Sequence, residues 1–320
     1  MTGPAPVEHE GEIDPWVSDW ITANPMRATP FEDLSPERLE LARGPSGPAP
    51  TREIAHVSDE VVEGVPVRIY RGHGPPIGII VYFHGGGFVI GSIGLMDNVA
   101  RELAHGTGAV VVSVGYRLAP EHPYPAGLDD CETVTRWAVA TARRFDVPKA
   151  SVAVAGESAG GNLAAAVALR VRDAGDISLA GQALIYPAVA GTMVHPSTQQ
   201  FDGLILSRTA KKRYWDAYSG GRSLDGDPYA VPLSAAVLTG VAPAIVILGG
   251  CDMLRDEGRA YAARLRDDGV EVEEVCYPGQ PHGFANLEFP AAALAFDRIG
   301  DWFRRVCAGA VHTTGAPTPP

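Results

Sequence analysis

Residues 151–164 read SVAVAGESAGGNLA, an apolar run that ends on a G-x-S-x-G element and passes into the alanine-rich stretch GNLAAAVALRVRDAG. The first half has the character of a strand and the second that of a helix, so Ser158 stands at a strand-to-helix junction. A sharp turn there lifts the hydroxyl above the sheet edge, and the flanking glycines remove side chains that would collide where strand and helix meet. Alone, the pattern arises easily in a chain with 37 glycines. Its place between a strand and a helix makes Ser158 a candidate nucleophile.

Working outward, the strand half of that unit recurs as VRIYR, IGIIVYF, AVVVSV, GQALIYP, AIVILGG and VEVEEVCYP, alternating with amphipathic stretches such as DDCETVTRWAVATARRF and DEGRAYAARLRDDG. Several runs are apolar throughout, as strands covered on both faces are, and this predicts an α/β protein with a mainly parallel sheet between helical layers. Residues 188–241 break the rhythm with one helical stretch, SRTAKKRYWDAYSG, and no strand, an excursion that suits a lid. In the Pro- and Gly-rich first fifty residues, Ser35-Pro36 is an N-cap and N1 pair. The expected organisation is a disordered leader with N-terminal cap helices over 1–50, a catalytic domain over 51–308 with a cap insertion at about 190–225, and a disordered tail over 309–320.

A serine hydroxyl attacks poorly near neutral pH unless a base takes its proton and an acid orients that base. Among nine histidines, His282 in YPGQPHGF follows the last strand run, on the side of a parallel sheet where active sites lie. In AIVILGGCDMLRDEG, Asp252 directly follows a strand end, whereas Asp256 and Glu257 read as first-turn carboxylates of the next helix. The order Ser158, Asp252, His282 is that of an α/β-hydrolase triad and differs from the chymotrypsin and subtilisin orders.

The three glycines of HGGGF, at 84–88, fit the same chemistry. Acyl transfer builds a negative oxygen in its transition state, and backbone N–H groups on a fixed, bare loop stabilise it; losing one such donor costs about 2.7–4 kcal/mol of barrier. Gly86 and Gly87 are the expected donors, with Ala159, the residue after the nucleophile, as a third, and His84 as a loop-fixing hydrogen-bonder. A phosphate cradle is excluded by motif, since no G-x-x-x-x-G-K-[ST] occurs and Gly85, Gly86, Gly87 and Gly91 do not fit G-x-G-x-x-G. Phe88, Val89, Ile90, Leu206, Tyr214, Trp215, Met253 and Phe284 are the candidate walls of a substrate pocket, each equally readable as core.

The formal net charge of −12 over 320 residues argues against a polyanionic partner such as nucleic acid. The one dense basic run, Lys211, Lys212 and Arg213, reads as a solvated helix face. Four scattered cysteines form no C-x-x-C pair and have no histidine at metal spacing, so no metal is expected and the thiols read as free in a reducing, cytoplasmic setting. The N-terminus lacks the basic start and apolar run of a signal peptide, and no stretch approaches the roughly 18 apolar residues of a membrane span.

HGGGF (84–88), YRLAPEHPYPAGLDD (116–130), GESAGGNLA (156–164), DPYAVPL (227–233), CDMLRDEG (251–258) and YPGQPHGF (277–284) together resemble the hormone-sensitive-lipase branch of the α/β-hydrolases, also called bacterial family IV esterases, over most of the chain. The resemblance implies an eight-stranded sheet, a cap from the N-terminal helices and residues 204–220, cofactor-free hydrolysis of short to medium acyl esters, and possible homodimers. It also implies that Tyr116, Arg117, Glu121 and Asp129 brace the active site. Two positions depart from it: Glu157 stands where relatives usually carry Asp or Thr, and Met253 where they usually carry Pro. The same machinery would serve an amide, carbamate or lactone, and plant gibberellin receptors use the scaffold without catalysis; those lack the triad histidine, which His282 supplies here.

Overall fold

In β3 (Ile79–Phe83) every side chain is buried, yet successive residues belong to two different cores: Ile79, Val81 and Phe83 to one, Ile80 and Tyr82 to the other. The period of two along a strand puts alternate residues on opposite faces, so a run apolar at every position needs a helical layer on each side. The computed structural model describes residues 11–313 apart from residue 288; the leader at 1–10 and the tail from 314 lie outside the described residues.

The chain begins with α1 (Pro15–Ala23), α2 (Pro25–Ala28) and α3 (Pro36–Ala42). A hairpin of β1 (His56–Val62) and β2 (Val65–Arg71) turns on Glu63 and Gly64, both at positive φ. After β3 come α4 (Asp97–Thr107), β4 (Val110–Val114), α5 (Ala126–Thr141), β5 (Val152–Glu157), α6 (Ala159–Ala174) and β6 (Gly181–Ile185). The excursion holds α7 (Pro196–Gln200) and α8 (Arg208–Ser219) and no named strand; β7 (Ala244–Cys251), α9 (Arg255–Asp267), β8 (Val272–Pro281) and α10 (Pro290–Thr313) complete the chain. The final helix thus continues past residue 308, into the stretch expected to be tail.

The strands form one eight-stranded sheet, ordered β1-β2-β4-β3-β5-β6-β7-β8, antiparallel across β1-β2 and β2-β4 and parallel from β4 onward. The α/β class and mainly parallel sheet are as the sequence pattern predicts. α5, α6 and α9 cover one face and α4 and α10 the other, where Val17 of α1 is also buried. β1 is not among the apolar runs, because HVSDEVV lies at the sheet edge and buries only Val62.

The N-terminal segment lies across the C-terminal ends of the parallel strands. α1 starts on Asp14, whose carboxylate accepts from the Trp16 amide at 2.8 Å, and Trp16 and Trp20 meet Phe289 edge-on. Arg43, just after α3, donates to the carbonyls of Val89 (2.7 Å) and Ala119 (2.6 Å) and to Glu121 (2.9 Å). The Tyr214 hydroxyl of α8 donates to the Phe31 carbonyl at 2.8 Å, and Ser207 and Arg213 both bind Glu32. Residues 11–43 and α8 therefore form one roof. Among the described residues, no helix is long and apolar enough to cross a membrane.

Candidate active site

Ser158 sits between β5 and α6 with φ 57° and ψ −117°, backbone angles that an L-residue adopts only under constraint from its surroundings. The constraint is visible: the Ser158 amide donates to the Ile185 carbonyl at 2.9 Å, and its carbonyl accepts from Ala188 at 3.0 Å. Gly160 lets α6 approach β3 at this point, since a Cβ there would lie 2.0 Å from the Phe83 carbonyl oxygen.

β8 ends at Pro281, and the next residue, His282, places Nε2 2.9 Å from the Ser158 hydroxyl oxygen. Its Nδ1 lies 2.8 Å from a carboxylate oxygen of Asp252, which follows β7 and is fully buried. The other Asp252 oxygen accepts from the Leu254 amide at 2.7 Å, so the carboxylate is fixed by its own turn. A carboxylate can only accept, so Nδ1 carries the proton and Nε2 is left to accept from Ser158. Burial pushes the His282 imidazolium down, but the adjacent Asp252 carboxylate, with smaller help from Glu157 and Glu257, more than offsets it, and the net shift is upward from 6.5.

The Gly86 carbonyl accepts from the amides of Val89 (3.0 Å) and Ile90 (2.9 Å), closing the glycine loop into a tight turn. Gly86 has φ +113°, and a Cβ on it would sit 2.2 Å from the Ile90 oxygen, so only glycine fits. Gly86, Gly87 and Ala159 all border the cavity above Ser158, whereas the Gly85 amide is turned back to Glu157 at 2.6 Å. His84 is a neutral support, as expected: burial holds it down at about 4, Nδ1 lies 2.7 Å from the Gly85 carbonyl, and its ring stacks on Tyr116 at 4.4 Å.

Glu157 is fully buried behind Ser158. Burial raises its pKa against the pull of the Asn286 side chain, the Gly85 amide and His282. The departure from aspartate or threonine thus ties together the elbow, the glycine loop and the turn after His282. Met253 has its carbonyl bound by Ser197 at 2.9 Å and Thr198 at 3.3 Å, which anchors the Asp252 turn to α7.

Ser158 and His282 open into a cavity of about 530 Å³. Phe88, Ile90, Leu206, Tyr214 and Trp215 line it; Val89, Met253 and Phe284 do not. Along the loop, Phe88 and Ile90 face inward and Val89 turns the other way, to pack with Leu39 and Ala210. Met253 packs on Phe201 and Cys251, with neighbouring Leu254 taking the wall position, and Phe284 packs on Tyr186 and Tyr277 in the core. The sequence reading missed Arg27, Thr29 and Phe31, which border the cavity from the N-terminal segment. No local motif marks them; only the docking of that segment brings them there.

Two further expectations change. Tyr116 braces the loop by donating to the His84 carbonyl at 2.7 Å, Glu121 holds Arg43 and Arg117 pairs with Asp130, but Asp129, expected among the bracing residues, pairs instead with Arg170 of α6 at 2.7 Å. The basic run on α8 is split by helical geometry. Lys212 and Arg213 are exposed, but Lys211 lies on the inner face with Tyr214 and Tyr218, buried and paired with Glu257. Glu257 lies in the first turn of α9, as the sequence predicts, and is fully buried there as the partner of Lys211. Among the described residues no cluster of three or more His, Cys, Asp or Glu is placed to hold a metal ion.

A strand-turn-helix nucleophile, a histidine after the last parallel strand and an acid after the one before it define an α/β-hydrolase. Residues 80–286 match the family model described as the alpha/beta hydrolase fold. The chain is 36% identical over 302 residues to the carboxylesterase NlhH of Mycobacterium tuberculosis, covering 90% of this chain and 94% of that one. It is 33% identical over 232 residues to an ethyl acetate hydrolase of Pseudomonas putida, covering 70% and 72%. The hyperthermophilic esterase of Pyrobaculum calidifontis superposes with a TM-score of 0.82 at 33% identity, over 92% of this chain and 98% of that one. The chain belongs to the α/β-hydrolase family, in its hormone-sensitive-lipase branch.

Proposed function

We propose that the protein is a serine carboxylesterase acting on short to medium acyl esters. The observation that carries this reading is the unbroken hydrogen-bond path from Ser158 through His282 to Asp252. His282 takes the Ser158 proton as the hydroxyl oxygen attacks the ester carbonyl, and Asp252 holds the imidazole in the required tautomer and stabilises its charge. The amides of Gly86, Gly87 and Ala159 receive the negative oxygen. Collapse expels the alcohol with the proton from His282 and leaves an acyl-Ser158 ester. Water, deprotonated by His282, attacks that ester and releases the acid.

The roofed, bounded cavity favours acyl chains of limited length, and the similarity to an ethyl acetate hydrolase points the same way. Fluorophosphonate should label Ser158, and a series of p-nitrophenyl esters should peak at short acyl groups. Loss of labelling in the wild type overturns the serine mechanism; a preference for twelve carbons or more overturns the substrate range. The protein is further read as cytoplasmic and homodimeric. Four cysteines, none of them in a disulfide, favour a reducing compartment, and β8 is an edge strand of the sheet, a position that can pair with a second copy. Light scattering at a single-chain mass would remove the dimer from this reading.

A further inference from the structure

The cavity beside Ser158 is largely apolar, yet one buried lysine borders it. Lys211 lies on the inner face of α8, one turn before Tyr214 and Trp215, which line the same wall. Its side chain is only 8% exposed. One N–H meets the Glu257 carboxylate and another the Thr192 carbonyl at 3.3 Å. An ammonium has three N–H donors, so one remains without a partner among the described residues. A buried ion pair gives little net stability over apolar side chains of the same volume; here it fixes where α8 docks and leaves a charged donor at the substrate wall.

We propose that Lys211 is a specificity-determining residue: its remaining N–H donates to an oxygen on the bound substrate, so that the site selects esters carrying a second, neutral oxygen over plain hydrocarbon esters. Glu257 decides the kind of oxygen. The Glu257 carboxylate already balances the Lys211 charge, and its other oxygen accepts from the Ala190 amide at 3.2 Å, which fixes it in place. A substrate carboxylate would bring a second buried negative charge to one cation, whereas a ketone, hydroxyl or ether oxygen satisfies the free donor without that penalty. Of the other polar side chains on the wall, Glu157 holds the Gly85 amide, Asn286 accepts from the Tyr186 hydroxyl, Thr29 and Tyr214 donate to the Pro25 and Phe31 carbonyls, and Arg27 is exposed and lies over the Trp20 ring.

This inference rests on the esterase reading, and the test separates the two. On the acyl side, p-nitrophenyl hexanoate is compared with its 3-, 4- and 5-oxo derivatives. On the alcohol side, butyl acetate is compared with 2-methoxyethyl acetate. Each ratio of kcat/KM, oxygen-bearing over plain, is taken within one enzyme, so the intrinsic reactivity of the esters cancels between wild type and variant. K211M should lower the ratio about tenfold for at least one oxygen position, the size expected for a hydrogen bond from a charged donor. E257Q, which keeps Lys211, should retain the wild-type preference. Because K211M leaves Glu257 unpaired, K211M/E257Q provides the same comparison without an unbalanced charge and should show the same fall. Ratios unchanged in the lysine variants overturn the role of Lys211 and leave the esterase intact. No wild-type turnover of either plain ester overturns both.

Discussion

The floor and the roof of the cavity are held by different forces. The floor, comprising the elbow, the glycine loop and the turns after β7 and β8, is fixed by backbone: the Ser158 amide on Ile185, the Gly86 carbonyl on two amides, and Gly160 pressed against Phe83. The roof is fixed by side chains reaching across sequence, with Arg43 on two carbonyls, Tyr214 on Phe31, and Lys211 on Glu257. Backbone contacts of the first kind tolerate almost no substitution, whereas side-chain contacts of the second can be exchanged. The difference teaches where chemistry and selectivity reside: the floor fixes the reaction, and the roof is free to choose the substrate.

Substitutions in the floor should act mainly on kcat. S158A should cost about 10⁶ in turnover of p-nitrophenyl butyrate, the scale of losing a triad nucleophile, with an unchanged thermal transition. D252N should cost about 10⁴ by favouring the wrong imidazole tautomer. It should also move the pH profile. Only neutral His282 can accept the Ser158 proton, and its pKa lies above 6.5, so kcat/KM of the wild type should fall as pH drops through a value higher than that of an ordinary histidine. Removing the Asp252 charge removes the main stabiliser of the imidazolium, so the acid limb of the residual activity should shift to lower pH.

G86A tests the glycine loop directly. Its Cβ would force the turn open, and a misplaced oxyanion donor should lower kcat by about 10²–10³ while KM changes much less. The smallest effect is expected where floor and roof meet. R43A leaves the Val89 and Ala119 carbonyls without their charged donor and should destabilise the fold by about 1–3 kcal/mol, measured by denaturant unfolding. An R43A loss as large as that of G86A on kcat would erase the distinction between the two regions.

The parts legible in the sequence are those where backbone conformation imposes a residue type. The apolar runs of β3 to β7 are buried on both faces, so their composition alone marks them. β1 was not legible, because an edge strand covered on one side and made of HVSDEVV resembles a loop until its partner is known. Ser35-Pro36 announced α3, and Asp14-Pro15 carries the same signal for α1. Val89, Met253 and Phe284 read from residue type as cavity wall and core alike, because whether an apolar side chain in a loop faces a pocket or the core depends on the turn of the backbone beneath it.

By itself the sequence determined the sheet class, the nucleophile elbow, the order of Ser158, Asp252 and His282, and the bare loop at 85–87, since each is a local demand of geometry on residue type. Only the tertiary structure decided which side chains close the cavity. Lys211 is buried against Glu257 while its neighbours Lys212 and Arg213 are solvated, and Arg27, Thr29 and Phe31 reach the site from the other end of the chain. Those positions are set by docking between segments far apart in sequence, where side-chain packing and pairing leave no local pattern to read.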